Sequence, residues 1–250
     1  MSAPADRDSG FEFPYVSTGH LPNSEAVTAL VAEAHGRYKS NSDGKNAEVY
    51  PALARVSKEL FGICMIGTSG IAYAVGDTEC EFTIMSVSKP FVFALVCQEI
   101  GASQAREKLG VNATGLPFDS LAAVKQGADG RTNPMVNPGA IATTSLAPGT
   151  TFDARWQFIR DGLSRFAGRN LAFNEEVYAS ASKTNHRNRN IAWLLQRLGR
   201  IDTDPADALD LYTRQCSLNV SAKDLAVMGA TLDRAPPVSA TNGECIGGAA

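Results

Sequence analysis

Residues 82–91 contain the side chains whose types and spacing most clearly allow covalent chemistry. Ser86 and Lys89 form a Ser-x-x-Lys pattern, which places a hydroxyl and an amine three residues apart on one face of a helix. A neutral lysine can take the serine proton during attack on a carbonyl carbon, and burial or the positive end of a helix dipole lowers its pKa. Free N–H groups in the first turn of that helix could stabilise an oxyanion. The alternative is that Ser86 caps the helix and Lys89 is a solvated charge.

The Ser-x-x-Lys spacing is not specific by itself. It occurs twice more in this chain, at residues 42–45 and 180–183. The first of these lies in a polar loop and the second in a hydrophilic stretch, so each lysine should stay solvated and protonated. The pair formed by Ser86 and Lys89 differs because it lies between a strand-like run and an apolar helix. Of the three matches, this pair is therefore the candidate for acyl-transfer chemistry, and the capping alternative stays open for it.

Three further polar residues are candidates for substrate binding. Asn137 lies in the Asn-, Pro- and Gly-rich segment 133–141, where its amide could bind a polar substrate or close an Asx-turn. Asn188 precedes an apolar helix, and it could bind a carboxylate or cap that helix. Tyr212 shares a helix face with Cys216, an arrangement that is usually core packing.

The chain around these residues alternates between strand-like and helical patterns. Two β-rich runs, 61–67 and 71–75, flank a Gly-containing turn and predict a β-hairpin, and a third apolar run, 82–85, leads into Ser86. The predicted helices cover residues 25–35, 90–99, 119–126, 151–167, 190–198, 205–216 and 221–232. Ser24 is expected to cap the first of these helices, and Ser221 with Asp224 predicts a capping box at the last.

Strands followed by a long helical block indicate an α+β fold. A two-stranded hairpin is marginal alone in water, so we expect further strands beyond Ala250. Residues 1–20 mix Pro, Gly and Ser with acidic side chains and predict a flexible N-terminal arm.

Composition excludes several classes of protein. The 250 residues include 23 basic and 26 acidic side chains, and the formal net charge of -3 argues against nucleic acid or an anionic membrane as a partner. The longest apolar run, 91–97, is far shorter than the ~20 residues that span a bilayer. The first ten residues lack the apolar stretch of a secretory signal. We therefore expect a cytoplasmic protein.

Cysteine and histidine content argues against disulfides and metal sites. The five cysteines are odd in number and form no Cys-x-x-Cys pair, which predicts small buried side chains. The three histidines are too far apart in sequence to resemble a metal motif. Their scarcity also disfavours a Ser-His-Asp triad.

Taken in order, several segments resemble the bacterial and mitochondrial-type glutaminases, which are serine-dependent L-glutamine amidohydrolases. The most specific part of the likeness is Ser-x-x-Lys followed by Asn-Pro-Met-Val-Asn-x-Gly-Ala-Ile. The matching segments are 21–22, 50–54, 76–78, 82–91, 133–141, 186–190 and 212–217.

The resemblance implies a β-lactamase/penicillin-binding-protein-like fold, with an antiparallel sheet and flanking helices beside a helical domain. It divides a catalytic domain over residues 21–250 into an α/β part, 21–85 with 217–250, and a mainly helical part, 86–216. Relatives continue beyond the position of Ala250 with sheet strands, a second active-site tyrosine and a Gly-rich loop that completes the oxyanion hole. The resemblance thus implies an incomplete domain and a 250-residue form that is weakly active or inactive.

The resemblance also implies catalytic roles for three residues. Ser86 would attack the side-chain amide of glutamine, releasing ammonia and leaving a γ-glutamyl ester that water hydrolyses to glutamate. The Ser86 N–H would also contact the substrate as half of the oxyanion hole. Lys89 would be the base or relay for the attack, and Tyr50 would be a hydrogen-bonding partner beside the nucleophile.

Substrate recognition is implied for three more residues. Asn137, Asn188 and Tyr212 match family positions that hold glutamine through its amino, carboxylate and amide groups. No metal ion or organic cofactor is implied, because the activated serine suffices. Family members assemble as homodimers or homotetramers, which is the partner that the resemblance implies besides L-glutamine.

Two positions depart from the family pattern. Relatives commonly have Glu seven residues before the position of Asn188, where it can pair with the substrate ammonium, whereas this chain has Ala181. Losing a charge-assisted contact of ~1.5–3 kcal/mol would weaken glutamine binding roughly tenfold to a hundredfold. Many relatives also have Gln immediately before the serine, and Met85 cannot donate a hydrogen bond.

Two other functions stay open at this level. A non-catalytic relative would bind an amino acid or pair with a full-length subunit, which Ala181 and the short C-terminus favour. A penicillin-recognising acyl-serine enzyme would also need a Ser/Tyr-x-Asn element and a Lys-Thr-Gly strand. The segment 183–185, Lys-Thr-Asn, lacks the glycine and falls in the predicted helical block.

Overall fold

The computed structural model describes residues 22–67, 69–126 and 129–234. The predicted N-terminal arm, residues 1–20, and the stretch beyond residue 234 lie outside these ranges. The described residues form eleven α-helices and four β-strands. In chain order they are α1 (Ser24–Tyr38), α2 (Pro51–Ala54), β1 (Gly62–Ile66), β2 (Ala72–Gly76), β3 (Phe82–Thr83), α3 (Ser88–Ile100), α4 (Ala102–Leu109), α5 (Leu121–Gln126), α6 (Asn137–Ser145), α7 (Phe152–Ala167), α8 (Glu175–Thr184), α9 (His186–Arg197), α10 (Pro205–Cys216), β4 (Asn219–Val220) and α11 (Ala222–Arg234).

Strands β1 and β2 form the antiparallel hairpin that the sequence predicts. Gly62 pairs with Gly76 at the open end, and Ile66 pairs with Ala72 beside the turn. Helix α1 packs chiefly on β2 and α11 chiefly on β1. The hairpin therefore gains its stability from two helices that are distant in sequence, rather than from its own pairing alone.

Gly76 allows α1 to approach the hairpin closely. Its φ of +79° lies in the left-handed region, which glycine adopts without steric cost. A Cβ atom at this position would lie 2.3 Å from both His35 Nε2 and the Phe61 carbonyl oxygen. The His35 ring also stacks on Phe61, with ring centroids 5.1 Å apart.

A second short antiparallel pair, β3 with β4, leads into the candidate site. Phe82 lies opposite Val220, and the Ile84 N–H continues the pairing by donating to the Leu218 carbonyl at 2.8 Å. The chain then enters a 3₁₀ turn, Met85–Val87, which is followed directly by α3. Ser86 is thus at a strand-to-helix junction, as the apolar runs on either side predict.

Helices α6, α9 and α10 form the centre of one hydrophobic core. Every residue of α6 is buried, and its apolar side chains contact those of the other two helices. Because polar groups in such a helix must be hydrogen-bonded internally, the three consecutive hydroxyls at 143–145 each lie within hydrogen-bonding distance of a carbonyl of the same helix.

A second core joins α3, α7 and α11, with Ile159, Leu211 and Leu218 fully buried in it. Beside it, the Arg214 guanidinium is paired with Asp210 at 2.8 Å. Four aromatic rings face this guanidinium, with centroids 5.1–5.9 Å from its carbon atom, and they belong to Phe152, Trp156, Phe173 and Tyr178. This cation–π cluster connects α7, α8 and α10.

Several local predictions need correction. The sequence does not predict helices α2, α4, α6 and α8, and α6 begins at Asn137, inside the segment expected to be a turn. The Asx-turn is closed by Asn133, whose Oδ1 accepts from the Met135 N–H at 2.9 Å. Helix α1 is capped by Asn23 rather than Ser24, because Asn23 Oδ1 accepts from the Ala26 N–H.

The capping box at α11 is confirmed by reciprocal bonds between Ser221 and Asp224. The described cysteines are free, and Cys97 and Cys216 are buried, whereas Cys64 and Cys80 are partly exposed. Cys245 lies outside the described residues. Within the described ranges, none of the helices combines the length and apolar character needed to cross a bilayer.

Candidate active site

The turn that carries Ser86 is exposed and conformationally unusual. Ser86 is accessible to solvent, whereas Met85 before it is partly buried against the helical core. The φ of Met85 is +49°, which places a non-glycine residue in the left-handed region. The turn immediately precedes α3, where the first N–H groups of the helix have no intrahelical partner. An accessible hydroxyl at such a position can reach a substrate carbonyl.

Lys89 lies one turn further along, and its side chain is only 5% exposed. Its Nζ donates to Asn137 Oδ1 at 2.8 Å and to the Met135 carbonyl at 3.3 Å, and it lies 5.6 Å from the centre of the Phe118 ring. Burial lowers the pKa of Lys89, while the nearby Cys216 thiol acts in the opposite direction when ionised. Burial therefore shifts the Lys89 equilibrium toward the neutral amine, which is the direction that the Ser-x-x-Lys hypothesis requires.

A chain of hydrogen bonds connects the other polar candidates to Lys89. The Tyr212 hydroxyl donates to Asn137 Oδ1 at 3.2 Å, and the Ser86 side chain is close enough to Tyr212 to act on its pKa in the lowering direction. Asn137 Nδ2 donates to Asn188 Oδ1 at 2.9 Å. Asn137, Asn188 and Tyr212 come from α6, α9 and α10, so the packing of these three helices sets the geometry of the site.

Tyr50 completes the group from the other side. It precedes α2, is partly buried, and is close enough to Tyr212 and Cys216 to interact with them electrostatically. Burial raises the pKa of Tyr50, with a contribution from Cys216, and burial raises the pKa of Tyr212 well above its ordinary value. Burial likewise raises the pKa of Cys216 to about 11. All three groups are therefore protonated near neutral pH.

The structure thus brings all six sequence candidates together, although Tyr212 is also a core residue. The expectation that Asn188 caps a helix is wrong, because α9 begins at His186 and Asn188 lies buried within its first turn. The two other Ser-x-x-Lys matches are far less enclosed: Lys45 is paired with Glu48 on the surface, and Lys183 is exposed on α8.

Sequence reasoning missed three buried polar residues beneath the turn. Gln215 Nε2 donates to Ser88 Oγ at 3.1 Å, and Thr144 Oγ1 lies 3.0 Å from Gln215 Oε1. Ser88 Oγ in turn donates to the Met85 carbonyl at 2.7 Å. A usable signal was present, because Gln215 follows Tyr212 by three residues and so lies on the same face of the helix as that candidate.

The structure shows the surroundings of Ala181 and Met85, the two positions at which the sequence departs from the family pattern. Ala181 is 3% exposed on α8, which packs against α2 and α10, so this chain has an apolar methyl group where the family resemblance implies a carboxylate. The Met85 side chain contacts the helical core instead of offering a hydrogen-bond donor.

An open cleft of about 520 Å³ lies elsewhere, beside α4, and its lining includes Arg131, Asp129 and Glu107. The charges of this cleft are largely used internally. Arg131 pairs with Asp129 at 2.6 Å and also donates to the Glu107 carbonyl at 2.9 Å. The nucleophile and its partners are not part of this lining, so we assign the candidate active site to the Ser86 turn.

The fold and the site define the class of protein. A mixed helical chain with small antiparallel sheets, in which a Ser-x-x-Lys pair lies at a strand-to-helix junction, has the β-lactamase-like fold. The solved structure titled "Probable glutaminase ybaS" superimposes with a TM-score of 0.83 at 36% identity, covering 87% of this chain and 70% of that one. A probable glutaminase from Bacillus subtilis complexed with 6-diazo-5-oxo-L-norleucine gives a TM-score of 0.71 at 25% identity, covering 89% of this chain and 67% of that chain.

Sequence comparison agrees with the structural similarity. The profile described as Glutaminase matches residues 44–247. "Glutaminase 2" of Yersinia pestis is 64% identical over 229 residues, which is 92% of this chain and 67% of the relative. A glutaminase of Brucella abortus is 46% identical over 210 residues, or 84% of this chain and 66% of the relative. The chain belongs to the glutaminase family, and it spans about two thirds of the length of these curated relatives.

Proposed function

We propose that this chain hydrolyses L-glutamine to L-glutamate and ammonia through a γ-glutamyl-serine intermediate. The observation that carries this proposal is the buried Lys89 amine, one helical turn from the exposed hydroxyl of Ser86. Its lowered pKa favours the neutral form that a general base requires. Membership of the glutaminase family identifies glutamine as the substrate.

In the first half-reaction, Ser86 Oγ attacks the side-chain amide carbon of glutamine, and its proton passes to Lys89, directly or through the neighbouring Tyr212 hydroxyl. The tetrahedral oxyanion lies near the Ser86 N–H at the start of the helix. The C–N bond then breaks, the leaving nitrogen receives the proton, and ammonia departs. In the second half-reaction water adds to the ester and gives a proton to Lys89. Lys89 passes this proton to Ser86 Oγ as the ester bond breaks, and glutamate leaves.

Asn137, Asn188 and Tyr212 are the proposed substrate-binding residues, with Tyr50 beside the nucleophile. The hydrogen bonds among the first three support this assignment, because they fix the polar groups before a substrate arrives. A pre-formed arrangement of this kind lowers the entropic cost of binding and orientation.

The proposed mechanism needs no metal ion or organic cofactor. Cytoplasmic location, assembly as a homodimer or homotetramer, and the division into parts 21–85 with 217–250 and 86–216 stay predictions.

The decisive experiment compares ammonia release from glutamine by the wild type and by Ser86→Ala. We expect at least a 10³-fold lower rate in the variant, since a missing nucleophile cannot be replaced by its neighbours. Ser42→Ala, in another Ser-x-x-Lys match, is the matched control and should keep the wild-type rate. Equal rates for the wild type and Ser86→Ala would remove Ser86 from the mechanism and favour a non-catalytic amino-acid-binding role.

Covalent labelling provides an independent check on the nucleophile. 6-Diazo-5-oxo-L-norleucine has an amino-acid backbone and a reactive diazoketone, so nucleophilic attack on it with loss of dinitrogen should leave an adduct on Ser86. Peptide mapping by mass spectrometry should find this adduct in the wild type and in Ser42→Ala, and not in Ser86→Ala. A label from a penicillin at the same residue would instead support a penicillin-recognising enzyme.

A further inference from the structure

The conformation of Met85 requires a physical explanation. Among the residues that the structure describes, Met85 is the non-glycine residue recorded with a positive φ, at +49°. A side chain in this region crowds the following carbonyl, and such strain persists only where the surroundings hold it. Because Met85 directly precedes Ser86, its backbone angles determine where the nucleophile points.

A buried hydrogen-bonded relay holds the carbonyl of this strained residue. Ser88 Oγ donates to the Met85 carbonyl at 2.7 Å, Gln215 Nε2 donates to Ser88 Oγ at 3.1 Å, and Thr144 Oγ1 lies 3.0 Å from Gln215 Oε1. Ser88, Gln215 and Thr144 are each at most 1% exposed. The relay therefore runs from α6 through α10 to the turn without contact with solvent.

The same stretch of chain also holds the other side of the turn. Three residues after Gln215, the Leu218 carbonyl accepts from the Ile84 N–H at 2.8 Å, and β4 then pairs with β3. Ile84 is 1% exposed, so this attachment is also buried. Residues 215–218 thus fix the backbone immediately before Met85 and, through Ser88, the Met85 carbonyl itself.

We propose that Gln215 is a positioning residue for the nucleophile, which acts through Ser88 to maintain the left-handed conformation of Met85. This inference rests on the proposed function, because it assigns the turn a catalytic purpose. Burying a glutamine amide at the end of α10 lowers the stability of the fold unless the amide is hydrogen-bonded. An apolar side chain would fill the same space without this desolvation penalty. Gln215 uses both ends of its amide: Nε2 donates to Ser88, which holds the turn, and Oε1 lies within hydrogen-bonding distance of Thr144 on α6.

The kinetic test uses Gln215→Met, which keeps the side-chain length but removes both hydrogen bonds. We expect kcat to fall about tenfold to a hundredfold, with KM for glutamine within about twofold of wild type, because the substrate-binding groups are untouched. Ser88→Ala should give a similar loss, and the double variant should be no worse than either single one because both act through the same carbonyl. Unchanged kcat in Gln215→Met would overturn the proposal.

Thr144→Val and Thr143→Val form a matched pair on one buried helix. Each threonine hydroxyl is within hydrogen-bonding distance of a carbonyl of α6, at Ala140 and Gly139 respectively, but only Thr144 also meets Gln215. We expect Thr144→Val to lower kcat and Thr143→Val to leave it unchanged. Equal losses in both variants would show that the effect is general destabilisation of α6, and the relay would be rejected.

A spectroscopic measurement separates this inference from the proposed function. The chain contains 5 methionines, so methyl-¹³C-methionine NMR gives few signals, and Met85→Leu identifies the signal of interest. In Gln215→Met, whose one additional methyl signal is identified by difference, we expect the Met85 signal to broaden or split as the turn samples other conformations. In Thr143→Val it should remain single and sharp. A single, sharp Met85 signal in Gln215→Met would overturn the inference even if the wild type released no ammonia.

Rescue provides the final control. Glycine adopts positive φ without strain, so Met85→Gly introduced into Gln215→Met should recover part of the lost kcat. A purely structural role of Gln215 in the core predicts no recovery, because Met85→Gly removes further core contacts. Absence of any recovery would therefore count against the positioning role.

Discussion

Hydrogen-bond direction at Asn137 assigns different tasks to the two asparagines of the site. Asn137 Oδ1 accepts from both Lys89 and Tyr212, so its NH₂ group must face Asn188. Asn188 accepts this hydrogen bond through its Oδ1 atom, so the NH₂ group of Asn188 is the outermost donor of the hydrogen-bonded series. We infer that Asn137 orders the site in addition to binding the substrate, and that Asn188 binds the carboxylate of the substrate.

Replacing Asn188 with aspartate tests this division. The Asn188→Asp side chain keeps the shape but would repel the α-carboxylate of glutamine, so KM should rise at least tenfold. Asn190→Asp, an exposed substitution on the same helix, adds the same charge outside the site and should leave KM nearly unchanged. A similar rise in both variants would indicate a long-range charge effect and would contradict the assignment.

The pH dependence of activity follows from the direction of the Lys89 pKa shift. Its burial moves the pKa below the ordinary value of 10.5, so the neutral fraction grows as pH rises toward that lowered pKa. Activity should therefore increase on the alkaline side of neutrality, with an apparent pKa that belongs to Lys89 coupled to Cys216, Tyr212 and Tyr50. A steady-state profile that is flat from about pH 6 to 9 would contradict Lys89 as the base.

The sequence predicted which residues the structure brings together better than it predicted how they are arranged. Patterns in the chain singled out Ser86, Lys89, Asn137 and Asn188, whereas the roles of Tyr50 and Tyr212 came only from the family resemblance. Their mutual bonds depend on the packing of separate helices, which local patterns do not contain.

At the scale of elements, helix α6 shows why local sequence rules failed. Asn, Pro and Gly at its start indicate a turn, but proline is favourable in the first turn of a helix, where its missing N–H costs nothing. Gly139 is needed because a Cβ there would lie 1.8 Å from the Asn133 carbonyl oxygen. The close approach of the Asn133 backbone, rather than helix propensity, therefore requires glycine at position 139.

Two glycines near α1 give opposite predictions for stability. A side chain on Gly36, in the last part of α1, would meet no atom within 4 Å, so Gly36→Ala should raise the free energy of unfolding by about 0.5–1 kcal/mol. Gly76→Ala would clash with the Phe61 carbonyl oxygen and strain a positive φ, and it should lower this free energy by at least about 2 kcal/mol. Urea unfolding measures both, and a neutral Gly76→Ala would contradict the described contact between α1 and the hairpin.

At the scale of the whole molecule, two hydrophobic cores within the described residues meet along α10. Tyr212 and Cys216 belong to the core shared with α6 and α9, whereas Leu211 belongs to the core shared with α3, α7 and α11. The α+β fold was predictable because strands precede a helical block. The short β4 strand was not, because two paired residues leave too little pattern to detect.

Buried thiols make the stability of the molecule sensitive to alkaline pH. Burial raises the pKa of Cys97 from 9.0 to about 11, so above pH 9 the unfolded chain loses a proton that the folded chain keeps. The free energy of unfolding should therefore fall between about pH 9 and 11, by about 2 kcal/mol from this thiol. Lys89, whose folded pKa is lowered, acts in the opposite direction.

Cys97→Ala isolates the effect of this thiol. The variant should show a smaller decrease of unfolding free energy between pH 7.5 and 10.5 than the wild type, whatever its stability at neutral pH. Urea unfolding at the two pH values gives the comparison. An unchanged pH dependence would mean that the Cys97 thiol already ionises normally in the folded state.

The junction formed by residues 215–218 has a consequence for how the molecule loses activity. Because this single stretch attaches to the chain on both sides of the Ser86 turn, a small slip between the strand pair and the helical bundle would redirect the nucleophile while most secondary structure persisted. The rate of glutamine hydrolysis should then fall at lower denaturant concentrations than the helical circular dichroism signal does. A loss of activity that precedes the loss of helix would therefore report movement between residues 215–218 and the Ser86 turn.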